Sequence, residues 1–218
     1  MSKKEIIKRY ILFIISLFFI GLGVAFTKHG ELGISPISSV ANILSYKFTF
    51  MTFGSWLIFS NCILIAGQII LLRKKFQLYQ LLQLPLSFIF GYFTDFGMWC
   101  VSHIPNEVYG MKLLLVFVGI IILAFGISLG VIANVILNSG EAFVKTLAQV
   151  LKKEFSDVKI AFDVSWVAIS IILSLVLFNG RLVGTREGTV ISAVCTGIVV
   201  KFWNRILKMP LEKILKKI

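Results

Sequence analysis

The chain has 218 residues, 58% of them hydrophobic and 15% charged, with a mean hydropathy of +0.94. Soluble domains are roughly 45–50% apolar, so a water-soluble protein is excluded, and the length holds about six spans of roughly 20 residues with no room for a separate soluble domain. The net charge of +12 does not indicate nucleic acid: no basic stripe interleaves with exposed aromatics. The cations gather instead at the ends of apolar runs, as Lys3, Lys4, Lys8 and Arg9, as Arg73, Lys74 and Lys75, as Lys152, Lys153 and Lys159, and as Arg205, Lys208, Lys213, Lys216 and Lys217. That is the distribution the positive-inside rule asks for.

In chain order the long apolar runs are 10–26, 53–72, 78–101, 112–137, 161–178 and 188–203, each of spanning or near-spanning length. No small-residue cleavage site follows the first, so it is expected to be retained. Two shorter segments, 35–46 and 139–154, carry helix-start chemistry: Ser35 with Pro36 in the first turn, and Asn138 with Glu141 at capping-box spacing. Both are amphipathic, with Ser35, Ser38, Ser39, Asn42 and Ser45 on one stripe and Lys145, Gln149, Lys152 and Lys153 on the other. Pro85 is expected to kink the third long span. The tail "KMPLEKILKK" (208–217) is expected to lie on anionic headgroups.

The short segments belong to a repeat. "GVAFTKHGELGISPISSVANILSYKF" (23–48) aligns without gaps with "GVIANVILNSGEAFVKTLAQVLKKEF" (130–155), matching Gly23 to Gly130, Gly33 to Gly140 and Leu44 to Leu151. If neither short helix crosses, both termini and the turns at 73–75 and 152–159 share the cytoplasmic side. Three spans per half then reverse the second half. The expected fold is all-α: six transmembrane helices plus two short re-entrant or interfacial helices, arranged as an inverted repeat of two three-span halves. One polytopic domain covers 1–218, with halves at about 10–103 and 111–206 and an amphipathic tail at 207–218. Such architectures recur in secondary transporters.

"LGISPISSVANIL" (32–44), after a glycine-rich first span, and "GTREGTVISAVCTGIVVKFW" (184–203) resemble the YczE/YyaS/YitT family of bacterial multi-pass membrane proteins. The resemblance covers most of the chain and implies a polytopic plasma-membrane protein. The family's Gly-x-x-Pro turn is matched by Gly33 and Pro36, whereas the second half carries Phe143 where a related turn would place proline.

Candidates for a substrate path are Ser35, Pro36, Ser39, Asn42, Asp95, Asn134, Asn138, Gly140, Glu141 and Lys145; Asp95 stands out as an acid within an apolar span. Free N–H groups and the helix dipole at the two short-helix starts favour small anions or carboxylates. Lys28, His29, Glu31, Arg186 and Glu187 are candidates for an outer gate. The two histidines and three scattered cysteines make no metal site or disulfide framework, and no catalytic motif is present. The expectation is a non-enzymatic transporter or channel-like permease without cofactor, in contact with membrane lipids and a small solute, with homo-oligomerisation left open. The alternative is a non-transport scaffold or accessory factor acting on a partner protein or biosynthetic enzyme.

Overall fold

The structure is a computed structural model and describes residues 2–216. Eight α-helices carry it: α1 (Lys3–His29), α2 (Pro36–Lys47), α3 (Phe53–Leu72), α4 (Gln83–Val101), α5 (Tyr109–Ala133), α6 (Ser139–Leu151), α7 (Phe155–Leu177) and α8 (Glu187–Lys216). Two 3₁₀ turns, Arg73–Lys75 and Leu78–Leu82, join α3 to α4. Six helical segments are long and apolar enough to cross a membrane, while α2 and α6 are not among them.

Helix directions follow from named contacts. α1 and α5 run antiparallel, since Arg9 reaches the carbonyls of Ile132 and Ala133 while Gly30 lies against Lys112. α4 runs parallel to α1, with Gly21 against Thr94 and Gly97 against Ala25. α8 runs parallel to α5, because Val116 and Ile120 pack near Ile191 and Cys195 and Ser128 meets Asn204. One end of the bundle therefore gathers the start of α1, the 73–75 turn and the ends of α5 and α8, and is strongly basic. The opposite end has mixed charge, including Glu31, Glu107, Lys112, Arg186 and Glu187.

The largest helix–helix interface is α1 against α5. A Cβ added at Gly23 would overlap the Leu123 backbone, and one at Gly126 would lie 2.6 Å from the Ile20 nitrogen. Close backbone approach of this kind is how helices associate where lipid supplies no hydrophobic drive between them. α7 and α8 are the outermost spans; Val190, Val194, Ile198 and Phe202 of α8 are all exposed, as a lipid-facing surface requires.

Several boundaries differ from those expected. α5 stops at Ala133 rather than 137, because Asn134 adopts a left-handed conformation (φ 49°) and Arg9, itself 7% exposed, donates to two of its last carbonyls. The element ends thus correspond as His29 with Ala133 and Pro36 with Ser139, three to four residues off the ungapped register. Pro85 does not kink a span: it falls in the first turn of α4, where no helical N–H is needed. The described part of the tail continues α8 through Pro210 to Lys216, and the Ile214 carbonyl accepts from Lys8 Nζ; Lys217 and Ile218 lie outside the described residues.

Candidate solute pathway

The two short helices meet start to start in the middle of the protein. The Ile37 carbonyl, in the first turn of α2, accepts a hydrogen bond from Trp166 Nε1 at 3.1 Å, and Trp166 is halfway along α7. The Ile37 side chain reaches Gly140 in the first turn of α6 so closely that a Cβ there would collide with it. From this point α2 leads towards the mixed end, where Lys47 lies over the Phe178 ring. α6 leads the other way: Phe143 packs near Phe162, and its last turn shares a basin with Arg73 and Lys74. Neither helix is among the segments long and apolar enough to cross a membrane. Each runs from the centre to its own end of the bundle, because the chain turns sharply before it: Gly33 (φ 120°) precedes α2 and Asn134 precedes α6.

A cavity of about 440 Å³ lies along α6 on the basic side. Its polar lining comes from Gln80 and Gln83, from Asn134 after α5, and from Lys145, Thr146 and Gln149 of α6; Lys75 adds a second cation and no acidic side chain contributes. Gln80 Oε1 is buried there without a hydrogen-bond partner among the described residues. Ile136 also lines the cavity and belongs to the same packed core as Ile34 and Ala133. Buried apolar side chains of that core border the cavity at Ile136.

The start of α6 is latched to the bundle. Gln68 and Gln83 exchange amide hydrogen bonds at 3.0 and 3.1 Å, Gln68 also donates to the Ser139 carbonyl, and the Ser87 and Ser139 hydroxyls lie 3.1 Å apart. All four side chains are buried, so each needs its partner. On the α2 side Ser170 and Thr185 pair at 3.1 Å, and Thr189 Oγ1 accepts from the Ile34 N–H. The expected capping box at α6 is incomplete: Asn138 Oδ1 accepts from the Ser139 N–H, and no return bond from Glu141 accompanies it among the described residues.

On the mixed side Lys28 ties α1 to α2. Its ammonium donates to Asn42 Oδ1 at 2.8 Å and Ser45 Oγ at 2.6 Å, and stands 4.0 Å from the Phe53 ring centroid and 4.5 Å from that of Tyr46. Asn42 in turn donates to the Gly184 carbonyl. The other gate candidates point elsewhere. His29 Nε2 pairs with the Ile104 carbonyl, Glu31 binds Lys112 at 2.6 Å, and Arg186 and Glu187 pair with each other in the open.

Asp95 is engaged as a helix cap. Its carboxylate accepts from Thr52 Oγ1 at 2.6 Å and from the Gly54 N–H at 2.7 Å, placing negative charge on the start of α3, where the helix dipole favours it. Asp95→Asn is expected to lower stability by about 1–2 kcal/mol, read as a lower thermal midpoint in detergent; an unchanged midpoint would contradict the capping role.

The model of the family of unknown function DUF6198 matches residues 7–205. The chain belongs to the DUF6198 family. This DUF6198 chain is also 22% identical over 202 residues to the uncharacterized membrane protein YczE of Bacillus subtilis (strain 168), covering 92% of this chain and 87% of that protein. The family resemblance seen in "LGISPISSVANIL" is therefore borne out, and the chain is a membrane protein of a YczE-like family. No solved structure matches it.

Within this DUF6198 fold the candidate path residues divide into groups. Asn134 and Lys145 line the basic-side cavity, Asn138 and Glu141 line a small crevice beside it, and Gly140 touches Ile37 at the centre. Ser35, Pro36 and Ser39 lie in or beside the first turn of α2, with local bonds from Ser35 to Ser38 and from Ser39 to the Pro36 carbonyl; Asn42 joins Lys28. Gln83 reads from the sequence as a polar span residue that joins helices, as its pairing with Gln68 shows; Thr146, Ile136 and Trp166 were not among the candidates. The polar stripe of α6 held a signal for Thr146, which lies three residues before Gln149 and so on the same face.

Proposed function

We propose that this protein is a permease for small anions, built as an inverted repeat in the plasma membrane with its basic end in the cytoplasm and without enzymatic activity. The observation that carries the proposal is the cavity along α6: two lysines, several amides and no carboxylate line it, and it reaches Ala142 in the first turn of that helix. Opposed helix starts present positive dipole ends to one region, and Lys145 further along α6, with Lys75 of the 73–75 turn, favours an anion in the cavity.

Paired interactions support the inverted repeat. The Gln68–Gln83 and Ser170–Thr185 pairs each span fifteen residues, Ser87 serves the start of α6 as Thr189 serves the approach to α2, and α3 and α6 pack together much as α7 and α2 do. Halves of opposite sense can exchange inward-open and outward-open arrangements by rocking about a fixed site. The reading is supported by a cavity confined to the basic side and by Lys28 bonded to Asn42 and Ser45 of α2 on the mixed side.

The test is uptake of radiolabelled acetate, lactate and chloride into proteoliposomes. At least one anion is expected to enter faster than into protein-free vesicles, and Lys145→Gln is expected to cut that rate about tenfold at equal folded protein, while Lys208→Gln leaves it unchanged. Background rates for all three anions with folded protein would overturn the proposal.

A further inference from the structure

A second basin, of about 690 Å³, opens between the 73–75 turn and the end of α6. Arg73, Lys74, Lys75 and Lys152 supply four cations, no acidic residue lines it, and Leu71, Leu72 and Val150 form its apolar side. All four cations are exposed, and none forms a salt bridge within the described residues. Cations over an apolar wall, at the end of a spanning helix, match the two-part chemistry of a phospholipid: phosphate above, acyl chain below.

Backbone geometry points to the same place. Arg73 (φ 47°) ends α3 and Lys152 (φ 54°) ends α6, and both hold positive φ. Lys152 (ψ 42°) holds the left-handed conformation that usually carries glycine, and Arg73 (ψ −118°) holds a positive-φ conformation that side chains rarely adopt. Two strained helix ends from different halves of the chain each bring a long cation to one basin. Complementing the dipoles of α3 and α6 would explain cations somewhere in their last turns; it does not explain their occupying the two residues where glycine is favoured.

We propose that the basin bounded by Arg73, Lys74, Lys75 and Lys152 binds the phosphate of an anionic glycerophospholipid. Lys75 and Gln149 are shared with the α6 cavity, so the bound lipid stands beside that cavity's mouth. The binding holds whether or not the protein transports anions.

The experiment is thermal unfolding of the purified full chain in neutral detergent, with added phosphatidylglycerol, phosphatidylcholine or inorganic phosphate. Phosphatidylglycerol is expected to raise the midpoint by several degrees, with no rise from phosphatidylcholine or from millimolar phosphate. The Arg73→Gly/Lys152→Gly double variant is expected to equal or exceed the parent midpoint without lipid, because the strain is relieved, and to lose most of the phosphatidylglycerol shift. The Lys208→Gln/Lys213→Gln variant is expected to keep it. Three results would overturn the site: the shift surviving in the glycine variant, an equal shift from phosphatidylcholine or free phosphate, or an equal loss in the Lys208/Lys213 variant.

Discussion

Replacing Gly23 by leucine is expected to destabilise the protein by at least about 3 kcal/mol, a large share of the roughly 5–15 kcal/mol that holds most folded chains together. The reason is backbone, not side chain: a Cβ at Gly23 meets the Leu123 nitrogen and Cα and lies 2.8 Å from the Gly119 carbonyl oxygen. No rotamer change removes that contact, so α1 and α5 must separate along the largest interface in the bundle. The expected readout is loss of monodisperse protein after extraction, or unfolding at a much lower SDS fraction. Gly197→Leu is the matched control, because nothing lies within 4 Å of a Cβ at that exposed position; it should leave unfolding unchanged. A Gly23→Leu protein as stable as the parent would rule out the close α1–α5 packing.

Lys28→Met should be the second largest effect, about 2–4 kcal/mol. Methionine matches the length of the lysine stem but removes a charged donor from Asn42 and Ser45, bonds of a kind worth about 1.5–3 kcal/mol, together with the cation over Tyr46 and Phe53, worth roughly 0.5–2 kcal/mol. Asn42 is 2% exposed, so water cannot readily replace the lost donor at its oxygen. The consequence should be local as well as global: α2 should lose protection in hydrogen exchange before α1 does. Unchanged stability together with unchanged exchange in α2 would contradict the role assigned to Lys28.

The long spans were legible because their apolar runs are uninterrupted, and α2 and α6 because Pro36 and Asn138 are local start signals. Ends were less legible. α5 reads as apolar to Leu137, and only Arg9, more than a hundred residues earlier, reveals where its carbonyls need an outside partner. Arg9 reads as one more cation in the N-terminal cluster, since charge alone does not tell a buried cap from a solvated lysine.

The site was legible in part for the same reason. Lys145 and Asn134 stand out as polar groups near a short amphipathic helix, and the cavity uses both. Asp95 stands out equally as an acid in an apolar span, yet the start of α3, forty residues away in sequence, occupies it. Glycine was similarly ambiguous: Gly119 and Gly126 lie in close helix contacts, whereas Gly197 faces outward with open space around it. Sequence spacing identifies a small residue but not the neighbour that makes smallness necessary.

The central claim is that α2 and α6 enter from opposite ends and meet start to start. It is tested most directly by replacing Cys62, Cys100 and Cys195, introducing Ile37→Cys and Gly140→Cys together, and treating membranes with a short thiol cross-linker. Cross-linking within one chain, detected after cutting the 102–108 connection at an engineered protease site, is the predicted result. Failure to cross-link in folded protein, with each cysteine instead labelled from its own side by a membrane-impermeant reagent, would place the two helices at separate surfaces and contradict the account.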